Sequence, residues 1–577
     1  MNLHRNLQIG RLRDGRYIAI LAGAILIAFL AYIARLSAVT HDAFHEMALV
    51  RVFAEGGPFP IGDVFAFTPT VYPAVHHEWG TGLVLYWCAG ISPLGLDGMA
   101  VLRVLLVLAV AAALYRCARN GGAHPLLICC CAPILFPLLW VGFGTLRAQL
   151  FTLLFLLLQI LMQQSDWHGR RRWVVAWSLL YVVWLNMHAG FVVGVAMLFF
   201  HVVERWLTEI GNDWSFANFS KAYFKLWHHL LLPPILALGL QINPWGFLYG
   251  PYLLRAITMP RPTILEWQPL WMTHDSTTAI AAFALSLLAL GYVAKNRRWA
   301  RLRGWFFCCV AAYMALKHLR HGSLYAIVWM VYMPGWLTPT AFGRTAISSL
   351  VNHRTILIRS ASFCTVACIG FILWHPIWKA TIPSSDPDGA MEYPVGAVQF
   401  LREHAFTGNV LTPFATGAYV SWMCHPEVRV SIDGRYEVAY RNDVLPKHDL
   451  FYAAEVGWQA VLQEYSADLV LVQANAPVKK FLGKVGSSTE SWRVVYEDPV
   501  FSLYAEEAQS EALSELKVSQ QTSARTLNSL RSFVWHARSD SAGRDEPNSR
   551  YLSIPTPFAK PSERATPVGE TARRFRF

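Results

Sequence analysis

The chain has 577 residues, of which 54% are hydrophobic and 15% charged, against about 25% charged in an ordinary soluble domain. That balance excludes a typical soluble globular protein and places the chain in the membrane class. The formal net charge of +12 does not point to nucleic acid, because Lys and Arg fall in short clusters between apolar runs, where they act as topology signals.

The first apolar run, about 17–36, follows Arg5, Arg11, Arg13 and Arg16. Its length of ~20 residues suits a membrane span, and no obvious small-residue cleavage site follows it. It is therefore predicted to be an uncleaved span, with residues 1–16 held in the cytoplasm. Further spans are expected at about 99–116, 124–142, 148–163, 173–188, 190–206, 228–242, 276–294, 304–318, 322–338 and 360–378.

The segment from Glu78 to Pro93 is apolar but short. If it lies at the interface without crossing, the clusters Arg116/Arg119, Arg170/Arg171/Arg172, Lys295/Arg297/Arg298/Arg301/Arg303 and Arg344/Arg354/Arg359 all fall on the cytoplasmic side. The positive-inside rule favours that arrangement, with 11 spans and up to about 13 if runs are split. The ten cysteines show no metal-site spacing, and all but Cys424 lie in or beside apolar segments, as small apolar filler does.

A transmembrane domain is thus expected over 17–380, with an exterior loop over 37–78. From about Ser385 to Glu506 the pattern alternates between helix and strand, which predicts a compact extracytoplasmic α/β domain over 385–506. Helices are expected at Val395–His404 and Trp458–Tyr465, and strands at Asn409–Phe414, Val428–Asp433, Asp468–Gln473 and Trp492–Tyr496. Residues 507–577 are rich in Ser, Arg, Thr and Pro without periodicity and are expected to form a disordered tail.

The unusual polar residues near span ends gather on one side. The exterior loop carries His41, Asp42, His45, Glu46, Asp63, His76, His77 and Glu78, and Asp42, His45, Glu46 and Leu49 share one helical face. Arg147 and Gln149 open one span, Asn186 and His188 close another, and the next exterior loop holds Arg255, Arg261, Glu266 and Trp267. Lys317, His318, Arg320 and His321 lie between two apolar runs. Single members have bland readings: Arg and Lys snorkel at helix ends, and a lone His on an apolar helix is commonly a hydrogen-bonded core residue. A carboxylate beside a membrane span is costly unless partnered or solvated, which singles out Asp42.

The segments Asp42-Ala-Phe-His45, Phe65-Ala-Phe-Thr68, His77-Glu78-Trp79, Leu146-Arg147-Ala148-Gln149-Leu150, Trp184-Leu185-Asn186-Met187-His188-Ala189-Gly190, Asn243-Pro244-Trp245-Gly246 and Glu266-Trp267-Gln268-Pro269 follow in one order. So do Tyr393-Pro394, Gly417-Ala418-Tyr419 and Ile432-Asp433-Gly434-Arg435. That order resembles a group of bacterial polytopic membrane proteins of GT-C-like architecture, and the resemblance covers about 40–505. It implies an α-helical GT-C-like bundle with a C-terminal soluble α/β domain in the bacterial inner membrane. It also implies a glycosyltransferase that uses a polyprenyl-phosphate-linked sugar in contact with membrane lipids, with its acidic residue in the first exterior loop.

On that reading Asp42, His45, His77 and Glu78 are the catalytic candidates, and Arg147, Gln149, Asn186, His188, Glu266, Lys317, His318 and Arg320 the substrate or phosphate ligands. A divalent cation, Mg²⁺ or Mn²⁺, would favour oxygen and so Asp42 and Glu78. Many such enzymes carry a paired Asp-Glu where this chain has Asp42-Ala43. The alternatives are a transporter or flippase for a lipid-linked glycan, and a non-catalytic scaffold in envelope polysaccharide assembly. The sequence points to no protein partner.

Overall fold

The computed structural model describes residues 2–35, 37–211, 214–259, 265–272, 277–298, 302–384, 392–482 and 492–506. Arg261, Arg301 and the expected tail lie outside the described residues. The helical part runs α1 (Asn2–Ile33), α2 (His41–Ala54), α3 (Trp79–Tyr86), α4 (Asp97–Asn120), α5 (Pro125–Cys131), α6 (Phe136–Phe143), α7 (Gln149–Asp166), α8 (Trp173–Met187) and α9 (Phe191–Ile210). It continues with α10 (Phe216–Leu226), α11 (Leu232–Gly239), α12 (Tyr249–Thr258), α13 (Thr277–Asn296), α14 (Trp305–Lys317), α15 (Gly322–Leu337), α16 (Ala341–Asn352) and α17 (Arg354–Trp374).

Local sequence explains several of these boundaries. Pro133 and Pro137 lack an N–H to donate, and the apolar run Pro125–Phe143 is accordingly divided into α5, a 3₁₀ turn at Ala132–Leu135 and α6. α15 is apolar all round and is buried along its length apart from Tyr332 and Gly335, so it forms the centre of the bundle. α17 buries none of its side chains. It rests against α1 and turns Phe363, Val366, Leu373 and Trp374 outward, as a lipid-facing helix does.

The protein is a membrane protein, and six helical segments among the described residues are long and apolar enough to cross a bilayer: Gly15–Ile33, Asp97–Asn120, Pro125–Phe143, Phe191–Ile210, Thr277–Asn296 and Arg354–Trp374. The other expected spans fall on shorter helices or, in α7, on one carrying Gln149, Gln159 and Gln163. The Trp79–Ile91 segment has 13 residues, about 20 Å of helix, which is less than the ~30 Å hydrocarbon thickness.

After the bundle come α18 (Val395–Glu403), β1 (Gly408–Leu411), α19 (Gly417–Cys424), β2 (Val428–Val430), β3 (Leu469–Gln473), β4 (Trp492–Glu497) and β5 (Phe501–Glu506). The strands form one mixed sheet in the order β2-β1-β3-β5-β4, with β1 parallel to both β2 and β3 and β5 antiparallel to both β3 and β4. The elements that go beyond the sequence expectations include β5, buried between β3 and β4, α19 and a helix at Val444–Tyr452.

The sheet does not stand apart from the bundle. Phe67 N–H donates to Val430 O (3.1 Å) and Val430 N–H to Phe65 O (2.9 Å), so the 37–78 loop extends the sheet beyond β2. Phe44 of α2 meets the rings of Tyr393 and Tyr419 at 5.1 Å each, and Arg51 donates to the carbonyls of Trp422 and His425. α2 is therefore held between the bundle and the C-terminal region.

On its other side α2 lies close to α3. A Cβ at Gly82 would stand 2.5 Å from Glu46 O, so only glycine permits this approach. Gly82→Ala is expected to cost about 1–3 kcal/mol through overpacking. A lowered thermal midpoint of the purified protein in detergent would show it, whereas an unchanged midpoint would mean that α2 shifts freely.

Candidate functional site

One turn of α2 sets out the site. Asp42, in its first turn, is favoured by the helix dipole, and His45 and Glu46 follow at i+3 and i+4 on the same face. The start of α3 brings His76, His77 and Glu78 opposite them. His45, Glu46, His76, His77 and Glu78, with Leu49, Trp79, Arg435 and Val438, line a cavity of ≈ 30 Å³, enough for a water or an ion.

At its centre two carboxyl groups are buried together. Neither oxygen of Glu46 receives a hydrogen bond among the described residues, and ligand atoms of His45, Glu46 and Glu78 lie within 4.8 Å of one another. Burial and the neighbouring charge of Glu78 push the Glu46 carboxyl well above the usual carboxylate range. Burial works against charge on Glu78 as well, but a hydrogen bond from Glu46 and the facing imidazoles outweigh it and hold Glu78 well below that range. The pair thus shares one proton, carried by Glu46, or one cation.

Two imidazoles face Glu78, and the tautomer of one, His188, is fixed by a backbone donor. Gly190 N–H donates to His188 Nδ1 (3.0 Å), so the neutral ring carries its proton on Nε2, 3.4 Å from Glu78 Oε1. Thr152 Oγ1 accepts from Trp184 Nε1 (2.8 Å) and donates to the same Nδ1 (2.7 Å). His77 Nε2 lies 3.3 Å from Glu78 Oε1, and the Tyr252 hydroxyl meets its Nδ1 at 2.6 Å. Burial lowers the pKa of His41 to about 4 and that of His45 below the usual value, so these rings are neutral near pH 7.

Arg147 links the cluster to the loop before α13. Its Nε lies 3.6 Å from Asp42 Oδ2, and its guanidinium is ion-paired with Glu266. Burial disfavours its charge, but the carboxylates of Asp42 and Glu266 more than restore it. Asp42 has a side chain 38% exposed, against 20% for Glu78, and is the more accessible of the two.

The remaining expected site residues divide in two. Gln149 donates to Arg320 O (2.9 Å) and Ser323 Oγ (3.2 Å), and Asn186 accepts from Trp79 Nε1 (2.9 Å) and donates to Ile242 O (2.8 Å). Both amides join elements at the rim. His318 Nδ1 donates to Trp267 O (2.6 Å) and the Arg320 guanidinium stacks 4.5 Å from the Trp267 ring, which fixes the loop that presents Glu266. Lys317 is exposed at the end of α14.

Two contributors were not among the selected candidates. Glu46 shares the Asp42 face but sits one turn deeper, and a sequence pattern does not distinguish its burial. The Asp433-Gly434-Arg435 turn, readable from sequence as a structural turn, reaches the site from the C-terminal region. A Cβ at Gly434 would stand 3.6 Å from His45 Nδ1 and 3.7 Å from Asp42 Oδ1, so the turn lies directly against α2. Arg435 clamps it there through Asp433 and, across the sequence, Asp63, with all three side chains buried. Burial opposes the charge on Asp433, but the adjacent guanidinium holds its carboxyl below the usual range.

Among the described residues six carboxyl groups, Asp42, Glu46, Asp63, Glu78, Glu266 and Asp433, meet two guanidiniums, Arg147 and Arg435. That excess of negative charge, with no donor group directed at either oxygen of Glu46 among the described residues, fits a divalent cation on Glu46 and Glu78 with His45 beside them. Asp42, expected as an oxygen ligand, faces Arg147 and is not in that compact group.

The sequence matches no protein-family model and no curated protein sequence. The structure is similar to the crystal structure of the Archaeoglobus fulgidus oligosaccharyltransferase tethered to an acceptor peptide, with a TM-score of 0.50 and 14% identity over 79% of this chain and 69% of that one. It is also similar to ArnT from Cupriavidus metallidurans bound to undecaprenyl phosphate, with a TM-score of 0.44 and 13% identity over 85% of this chain and 98% of that one. The likeness to the oligosaccharyltransferase is one of fold, that of an α-helical GT-C membrane protein.

Removing the clamp tests how the cover is held. Arg435→Met would leave Asp63 and Asp433 buried without their cation, an expected loss of about 3–5 kcal/mol. Urea or thermal unfolding in detergent measures it, and a loss below 1 kcal/mol would mean that water reaches both carboxylates.

Proposed function

We propose that the chain is a GT-C-type membrane glycosyltransferase that moves a sugar from a polyprenyl-phosphate-linked donor to an extracytoplasmic acceptor. The observation that carries this reading is the Glu46–Glu78 carboxyl pair, buried beside an accessible Asp42 and a cationic Arg147 at one end of a GT-C bundle. Arg119 lies in the last turn of α4, and Arg170 to Arg172 and Arg297 follow α7 and α13, so the positive-inside rule assigns that end to the cytoplasm. The site and the sheet that covers it then face the exterior of the inner membrane.

Transfer requires an acceptor hydroxyl to lose a proton as the lipid phosphate leaves. Asp42 is the base in this scheme: Arg147 faces it at 3.6 Å, and its exposure lets an acceptor reach it. Arg147 already has two carboxylate partners, so its guanidinium turns to the leaving phosphate as Glu266 or Asp42 gives way. His77 and His188, oriented by Tyr252 and Gly190, hold Glu78 in place. A divalent cation on Glu46 and Glu78 would supply charge neutralisation for the phosphate.

The test uses purified protein in nanodiscs with a labelled polyprenyl-phosphate sugar and a panel of acceptors. Asp42→Asn is expected to reduce transfer by about 10²–10⁴-fold with an unchanged thermal midpoint. Normal transfer by that variant would remove Asp42 from the chemistry, and a wild type that accumulates donor in sealed vesicles without product would favour transport. Glu46→Gln separates two roles. Transfer within about threefold of wild type is expected if Glu46 acts only as a proton carrier, since the amide still donates to Glu78, whereas a cation ligand would be lost and activity with it.

A further inference from the structure

A second polar cluster lies at the other end of α7, about 26 Å along the 18-residue helix from Gln149. Asp166, the last residue of α7, is 1% exposed and is surrounded by His201 and Arg205 of α9, Trp173 of α8, and His228 and His229 on the turn Trp227–Leu231. His228 Nε2 lies 2.8 Å from Asp166 Oδ1, and Trp173 Nε1 donates to the same oxygen (3.0 Å). On Oδ2 converge His201 Nε2 (3.1 Å), His229 Nε2 (3.2 Å) and Arg205 Nε (3.0 Å).

This arrangement is over-supplied as a set of hydrogen bonds. A carboxylate oxygen offers about two lone-pair sites, and Oδ2 faces three nitrogens. Arg205 must donate, so His201 and His229 compete for one remaining site. Among the described residues the buried Nδ1 atoms of His228 and His229 have no hydrogen-bond partner, so none of these residues holds the rings from that side.

We infer that Asp166, His201 and His229 form a binding site for a divalent transition-metal ion, of which Zn²⁺ fits the donor set. The three ligand atoms lie within 4.8 Å of one another. Zinc bonds of ~2.0–2.1 Å place neighbouring tetrahedral ligands about 3.3 Å apart, close to the 3.1 and 3.2 Å found here.

With an ion on one lone pair of Oδ2, every group has a role. Arg205 takes the other lone pair, while His228 and Trp173 take Oδ1, as hydrogen-bond donors around a ligating carboxylate do. Arg205 shares its charge with Glu209 (2.9 Å), which lessens its repulsion of a cation. The Trp173 ring stands edge-on to all three imidazoles at 5.9–6.2 Å and helps enclose the site. The enclosure and its distance from Asp42 make the role structural: the ion joins α7, α9 and the 227–231 turn. This site is independent of the glycosyltransferase reading.

The full chain is purified in detergent, stripped with a chelator and titrated with Zn²⁺ alone, in a Glu46→Gln/Glu78→Gln background so that the other carboxylate cluster does not contribute. One equivalent per chain and a rise of several degrees in thermal midpoint are expected. His201→Asn and His229→Asn are expected to weaken binding at least tenfold, while His228→Asn keeps the ion. Zinc binding unchanged in the His201 and His229 variants, or no binding by the background protein, would overturn the assignment. Should those variants fail to fold, Co²⁺ on the background protein gives a second reading: a visible absorption band of four-coordinate cobalt that Zn²⁺ abolishes supports the site, and its absence refutes it.

Discussion

Two carboxyl groups placed side by side away from water cannot both be charged without compensation. Glu46 and Glu78 are in that position because Gly82 lets α3 approach α2 more closely than any other residue would. Much of the surrounding architecture supports the arrangement. His77 and His188 direct imidazoles at Glu78, and Thr152, Trp184, Gly190 and Tyr252 fix how those rings are presented. Whatever neutralises the pair, a proton or a metal ion, sits at the most controlled point of the molecule.

The cover is as firmly specified as the floor. Arg435 lies between Asp63 of the first loop and Asp433 of its own turn, with its guanidinium over the Phe65 ring. These contacts set the Gly434 backbone against Asp42 and His45. The small cavity admits an ion or a water, so entry of anything larger requires this cover or the Glu266 loop to move. Asp42, the most exposed carboxylate of the central group, lies on the side from which such an opening would begin.

Much of this was legible in the sequence, for identifiable reasons. The membrane helices follow from apolar runs bounded by basic clusters, and the start of the site follows from Asp42 and His45 standing three apart beside a span. Glu46 was visible on the same face, but face periodicity does not tell a buried carboxylate from a solvated one. The role of Asp433 and Arg435 was hidden because their partner, Asp63, is 372 residues from Arg435 along the chain. Gln149 and Asn186 illustrate the opposite difficulty. Polar residues at span ends suggest ligands, yet both side chains are engaged in joining neighbouring elements. β5 was missed because its neighbours on both sides bury it and its residues lack simple alternation.

The first loop and the C-terminal region meet through contacts such as Thr68 Oγ1 to Ser431 O, separated by 363 residues. Such pairing has a consequence for biogenesis. As the chain is made from its N-terminus, the Asp42 loop emerges early and has no partner strand until the last quarter of the protein is translated. The bundle must therefore insert with its polar mouth open. Assembly of the Glu46–Glu78 cluster with its cover is a late event, and a ribosome that stalls before Ser431 leaves an inserted but uncapped bundle for quality-control proteases to recognise.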